Sequence, residues 1–261
     1  MEPLPKVVLT IAGSDPSGGA GVQADLRAIA VHGHVGAAVI TALTVQNSRG
    51  VSAVSPVDPR LVADQIRAVI TDMPLAAIKI GMLGNAAIVR AVASAIAGLN
   101  VPVVLDPVLW ASSGAALLDE GALDALRTDL ALQSTLVTPN LAEGRALQRD
   151  EEPAAAALAA LLGVPVLLTG GHLAGDDVID VLAFPGKGEG QAYSARRIPT
   201  PHDHGTGCLL STSIACSLAN GHSIEAAVAH GRACVRAGLR AGRQLGEGPG
   251  AVLLLRLPPR Q

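Results

Sequence analysis

The chain has 261 residues, 49% of them apolar, and 19 basic against 22 acidic side chains give it a formal net charge of −3. That length and apolar content suffice for a sizeable core, while lysine at Lys6, Lys79 and Lys187 alone leaves no basic footprint for nucleic acid. Trp110, Phe184 and Tyr193 are the only aromatic residues, too few for a base-stacking platform, so nucleic-acid binding is excluded.

The cysteines, Cys208, Cys216 and Cys234, are odd in number and lack C-x-x-C or zinc-type Cys/His spacing, which predicts reduced thiols and a cytoplasmic protein. Met1 to Pro5 carries an acid and prolines rather than a basic, apolar leader, so no signal peptide is expected. The longest apolar run, Pro153 to Leu168, is broken by Gly163 and Pro165 and reads as a helix and a buried strand, not as a membrane span.

Val7 to Ala12, closed by Gly13, reads as a buried strand, and Val22 to Val31 as a helix. The loop between them holds Gly19-Ala20-Gly21-Val22-Gln23-Ala24, a formal match to the dinucleotide fingerprint. The next strand, Gly36 to Val45, ends in Gln46-Asn47 with no ribose-binding acid, so a dinucleotide site is a weak reading. No phosphate-loop motif G-x-x-x-x-G-K-[ST] occurs. Asp25 lies one turn past Gly21, where it either faces the loop mouth or simply favours the helix dipole.

Pro59 to Thr71 reads as a helix and Ala76 to Ile80 as a strand whose Lys79 is expected to snorkel to a sheet end. Ala86 to Leu99 is helical, and Val101 to Leu105 is a strand closing on Asp106-Pro107-Val108. Leu117 to Leu132 is predicted helical and Thr135 to Val137 extended. Asn140 and Glu143 then read either as a capping pair or as oxygen ligands for Mg²⁺, which keeps several of its waters. Ala154 to Leu162 is a helix, Val164 to Thr169 a strand, and Val178 to Phe184 with Gln191 to Ile198 an antiparallel edge hairpin.

Asp203-His204-Gly205-Thr206-Gly207-Cys208 follows, opening a small-residue helix from Leu209 to Ala219, and a last helix runs from Ile224 to about Leu245. A glycine loop ending on a helix N-terminus directs N–H groups and the positive dipole end at one point, which suits an anion such as phosphate. Cys208 at that end is expected to favour its thiolate and to serve as base or nucleophile.

Strands and helices alternating through short connections predict an α/β fold: one three-layer, doubly wound, mostly parallel sheet with helices on both faces, in a single domain over residues 1–261. Gly13 to Gly21, Gln46, Met82, Asp106, Asn140, Thr169 and Gly207 all follow strands and should gather along one sheet edge.

The residues resemble the hydroxymethylpyrimidine/phosphomethylpyrimidine kinases of thiamine biosynthesis, within the ribokinase-like superfamily. The resemblance rests on Ala12-Gly13-Ser14-Asp15 with Gly18 to Asp25, Thr41 to Thr44 with Gln46-Asn47, Lys79 to Leu83, and Asp106-Pro107-Val108. It continues through Ser113-Gly114, Thr138-Pro139-Asn140 with Glu143, Gly170-Gly171-His172, and His204 to Cys208. It implies an ATP- and Mg²⁺-dependent kinase in which Gly13, Asp25, Gln46, Met82 and Val108 hold an aminopyrimidine. Asn140, Glu143, Thr169 and Gly171 would serve the nucleotide, Glu143 reaching Mg²⁺ through water. Gly205, Thr206 and Gly207 would form the anion hole and Cys208 the catalytic base. Where the family carries a lysine before its Gly-Gly-His, this chain has Thr169. A small-molecule substrate and a homodimer are expected; a pyridoxal or pyridoxine kinase, or a pyrimidine sensor without turnover, are the alternatives.

Overall fold

A computed structural model describes residues 5–110, 114, 117–171, 175–244 and 246–259. Ser113 and His172, both part of the resemblance, and Leu245, the expected helix end, lie outside the described residues.

Nine strands form one sheet in the order β3-β2-β1-β4-β5-β6-β7-β8-β9. Its parallel centre consists of β1 (Val7–Ser14), β2 (Val35–Asn47), β4 (Leu75–Ile80), β5 (Val103–Leu105), β6 (Leu136–Val137) and β7 (Val166–Leu168). The expected hairpin is β8 (Asp177–Ala183) with β9 (Gln191–Arg196), antiparallel on one edge.

The other edge differs from expectation. Gly50–Pro56 forms β3, antiparallel to the end of β2, so Gln46-Asn47, which end the strand as expected, also lead into a hairpin. Val51-Ser52-Ala53-Val54 is short and mixed in polarity, and an edge strand exposed to solvent needs no continuous apolar run.

Alternation along the strands assigns each residue to a layer. Leu9 and Ile11 of β1, Ile78 and Ile80 of β4, and Val103 and Leu105 of β5 pack on the side of α2 (Pro59–Asp72), α3 (Ala86–Ile96), α4 (Glu120–Ala125) and α6 (Ala155–Leu162). Val8, Ala77, Val104 and Leu136, of opposite parity, pack on the side of α1 (Gly21–Val31), α7 (Thr206–Ala219) and α8 (Ile224–Ala241). Burying both faces makes the central strands read as apolar runs, which is why they were legible.

The helix predicted over 117–132 begins later. Asp119 caps α4 by accepting from the Ala122 N–H, after which the chain widens into a π turn at Leu126–Leu130 and tightens into a 3₁₀ turn at Ala131–Gln133. α8 stops at Ala241, earlier than the expected end near Leu245. Among the described residues, no helix is long and apolar enough to cross a membrane.

Candidate active site

The carboxyl ends of the parallel strands open into a cavity of about 710 Å³, within the range that holds a small molecule. Every expected site residue except Asp25 lines it.

Gly13, Gln46, Met82 and Val108 are among the cavity's lining residues. A Cβ on Gly13 would lie 2.8 Å from the Met82 sulfur, so a larger residue there would push the methionine side chain aside. The Met82 carbonyl accepts from the Thr41 hydroxyl at 2.6 Å, fixing that strand end, and Gln46 Oε1 accepts from the Thr44 hydroxyl at 3.3 Å. Trp110, 41% exposed, stands at the same wall.

In the cavity wall, Gly205 adopts φ 86° as the cap of α7, and a Cβ there would meet the Gly19 carbonyl oxygen. The pre-α7 loop therefore seats directly on the loop after β1, which glycine alone allows. A second contact locks them: Asp15 Oδ2 pairs with His204 Nε2 at 3.2 Å. Asp15 also accepts from the Ser17 and Ala20 N–H groups at 2.8 and 2.9 Å. Burial opposes its charge, but His204 and Ser17 more than offset it and hold the carboxyl below its ordinary pKa. The first intrahelical bond of α7 runs from the Leu209 N–H to the Gly205 carbonyl and the Thr206 N–H donates to the Asp203 carbonyl, so the Gly207 and Cys208 N–H groups lie outside the helical ladder at the loop.

Cys208 is half-buried in the cavity wall. The expectation of a favoured thiolate is not met: burial pushes the thiol up to about 12, and the charges of Asp25 and Asp106 add to that. Lys79 and the Gly21 N–H pull the other way and are outweighed. A helix N-terminus favours the thiolate, but burial outweighs it, and the Asp25 and Asp106 carboxylates arrive from other elements.

Lys79 does not snorkel. Its side chain and that of Asp25 are both fully buried and meet at 2.8 Å. Asp25 accepts in addition from the Thr10 hydroxyl at 2.6 Å and the Thr212 hydroxyl at 2.8 Å, so it is neither a loop-mouth acid nor part of the cavity wall. Burial is the largest influence and disfavours the ammonium, but the Asp25 charge and hydrogen bond, together with the charges of Cys208 and Asp106, more than offset it, and the Lys79 pKa stands above the ordinary lysine value. Lys79 itself reaches the cavity, which places a fixed positive charge beneath it.

Asn140 and Glu143 form a complete capping box on α5 (Leu141–Gln148): the Glu143 N–H donates to Asn140 Oδ1 at 3.0 Å and the Asn140 N–H to Glu143 Oε2 at 2.8 Å. Both also line the cavity, so capping positions the pair there. Burial, with the charge of Asp106, pushes Glu143 up to about 8, against the N–H groups of Asn140 and Leu109. Asp106 is raised too, again chiefly by burial and despite Lys79, and accepts from Ser211 Oγ at 3.0 Å. Two oxygen donors that repel each other in a buried site fit a hard divalent cation such as Mg²⁺.

Asp15, Lys79, Asp106 and His204 line the cavity but were not chosen from the sequence. Lys79 and Asp106 had a signal, being charged residues inside or ending apolar strands. The Asp15–His204 pair had none, because 189 positions separate its members.

The chain matches the family described as phosphomethylpyrimidine kinase over residues 15–253. It is 42% identical over 255 residues to the hydroxymethylpyrimidine/phosphomethylpyrimidine kinase of Streptomyces coelicolor, covering 95% of this chain and 94% of that one. An ADP complex of Bacillus subtilis pyridoxal kinase superposes with a TM-score of 0.87 at 30% identity, covering 96% and 98% of the two chains. A phosphomethylpyrimidine kinase from Clostridium difficile does so with 0.73 at 35% identity, over 87% and 96%. With the model of one family matched along nearly its whole length and a relative of that description at 42% identity, the chain belongs to the phosphomethylpyrimidine kinases.

Proposed function

We propose that this chain is the ATP-dependent kinase of thiamine biosynthesis that phosphorylates the hydroxymethyl group of 4-amino-5-hydroxymethyl-2-methylpyrimidine and then the resulting monophosphate. The observation that carries the reading is one cavity lined both by an aliphatic, amide-bearing set of residues and by a glycine loop with oxygen ligands. Gly13, Met82 and Val108 offer a flat aliphatic slot with the Gln46 amide as a donor and acceptor for a ring that has both. The glycine loop at the start of α7, with Asn140 and Glu143 opposite, offers N–H groups and oxygen ligands for a metal–triphosphate.

In the first reaction the substrate hydroxyl oxygen bonds to the γ-phosphorus, the bond from that phosphorus to the ADP oxygen breaks, and the hydroxyl proton passes to a base. Cys208, beside the anion hole, is the base in this reading. In the second reaction the attacker is the substrate's own phosphate oxygen. Gly205 to Gly207 would orient the transferred phosphoryl, and Lys79 supplies a fixed positive charge beneath the cavity. Glu143, through water, and Asn140 would hold Mg²⁺, which neutralises charge developing on the phosphoryl oxygens.

Pyridoxal is the second reading, favoured by the superposition on the Bacillus enzyme, though the higher identity is to the pyrimidine kinases. ADP release should be measured with the pyrimidine, its monophosphate and pyridoxal as acceptors. Turnover of the first two supports the proposal, turnover of pyridoxal alone replaces it, and release with none of them leaves a pyrimidine sensor. A homodimer belongs to this reading, because Leu43 and Val45, 54% and 63% exposed, stand on one face of β2. So does a cytoplasmic location, where the free thiols of Cys208, Cys216 and Cys234 would stay reduced.

A further inference from the structure

His32 caps the carboxyl end of α1, while His230 and Cys234, four residues apart, share one face of α8. Their ligand atoms converge. His32 Nε2 lies 3.0 Å from His230 Nε2 and 3.8 Å from Cys234 Sγ, and His230 Nε2 lies 3.5 Å from the same sulfur. From these residues, with both helices packed on one face of the sheet, we infer a binding site for a borderline-soft divalent cation, Zn²⁺ in the first instance, held by His32, His230 and Cys234.

The spacing fits that ion. Metal–nitrogen bonds of about 2.0 Å and a metal–sulfur bond of about 2.3 Å at tetrahedral angles place the nitrogens about 3.3 Å apart and each about 3.6 Å from the sulfur. The observed separations fall within a few tenths of an ångström of these.

The surroundings fit as well. His32 Nδ1 lies 2.7 Å from the Ala28 carbonyl, an acceptor only, so this nitrogen carries the proton and Nε2 keeps its lone pair facing the cluster. That outer contact is the one that usually fixes a metal-binding histidine. The two rings stand at 80° to each other, so their nitrogens converge on one point rather than stacking. Binding expels the thiol proton of Cys234: thiol and M²⁺ become metal-bound thiolate and H⁺. Both histidines are only half-buried, which leaves the fourth tetrahedral position to water.

The site is distinct from the cavity. α1 runs 11 residues, about 16 Å, from Gly21 at the cavity to Val31 beside His32. An ion there would staple the end of α1 to α8, so its expected effect is on stability, and it stands whether or not the kinase reading does.

The test uses the full chain, freed of metal by dialysis against a chelator and titrated with Co²⁺ and separately with Zn²⁺. One Co²⁺ per chain should bind with a thiolate-to-cobalt charge-transfer band and the intense visible bands of a tetrahedral site, and Zn²⁺ should displace it and raise Tm. Cys234→Ser should abolish the charge-transfer band while Cys208→Ser keeps it. His32→Ala should weaken binding by more than the roughly 10–100-fold that loss of an outer-shell contact costs. If Cys234→Ser does not fold, the His32 variant alone decides. Absence of the band in the unaltered chain, its survival in Cys234→Ser, or unchanged affinity in His32→Ala would each overturn the site.

Discussion

The Lys79 ammonium and the Asp25 carboxylate meet at 2.8 Å with no exposed surface on either side chain, joining β4 to α1 beneath the cavity floor. Thr10 of β1 and Thr212 of α7 complete the shell around Asp25, so four elements converge on one buried charge.

Removing one partner strands the other in a low-dielectric interior, which costs about 3–5 kcal/mol, whereas replacing both by apolar residues of similar volume costs far less. Asp25→Leu and Lys79→Met should each lower the urea midpoint sharply, and the double variant should recover much of the loss. Additive losses in the double-mutant cycle would show that the two side chains act independently.

That pair also marks where sequence reading stopped. Strand alternation and apolar runs identified the layers, and polar residues after strands identified the cavity, because both signals are local. Asp25 sits one turn past a glycine loop, where local reasoning left it between the loop mouth and the helix dipole; only the arrival of β4 and α7 shows it turned inward. The environment of Cys208 was misjudged for the same reason, since Asp25 and Asp106 reach it from other elements. β3 escaped because an edge strand carries little apolar signal.

Thr169 lines the cavity beside Asn140, to which it is bridged, at the point where the family carries a lysine. Thr169→Lys should lower the KM for ATP or raise kcat, because a cation there meets charge that spreads over the phosphoryl oxygens in the transition state. Steady-state kinetics with varied ATP measure it. Unchanged values would mean that an arginine of the wall, such as Arg145 or Arg236, already supplies the charge.

Gln46→Ala should leave ATP affinity intact and weaken the pyrimidine by about 1–3 kcal/mol, the usual cost of a lost buried hydrogen bond. Calorimetry with each ligand separately decides this. A fall in ATP affinity alone would move Gln46 to the nucleotide end.

Leu43 and Val45 project from the same face of β2 into solvent. If they meet a second copy, Leu43→Glu with Val45→Glu should convert a dimer to a monomer in sedimentation equilibrium, with each fold intact by circular dichroism. A monomer before mutation would remove the dimer from the proposal.

The two acceptors differ in their nucleophile, and Cys208 should feel the difference. A neutral alcohol must shed a proton as it attacks phosphorus, and a positioned base contributes roughly 10²–10⁴-fold. A phosphate monoester is largely ionised at pH 7, its second pKa being about 6, and needs no base. Cys208→Ala should therefore cripple phosphorylation of the alcohol far more than that of the monophosphate, and Cys208→Ser should resemble Ala because a hydroxyl is a far weaker base than a thiolate. The pH dependence follows from the same group. kcat/KM reports the free enzyme, and there the thiol is held up to about 12, so the thiolate fraction climbs about tenfold per pH unit through the neutral and alkaline range. With the alcohol, kcat/KM should still be rising at about pH 10.5, where an ordinary thiol has nearly levelled off; with the monophosphate it should be flat once the acceptor's own pKa and the Glu143 carboxyl, raised to about 8, are passed. Equal losses on both acceptors, or a profile for the alcohol that levels off near the ordinary thiol pKa, would return Cys208 to a packing role in the wall of the anion hole.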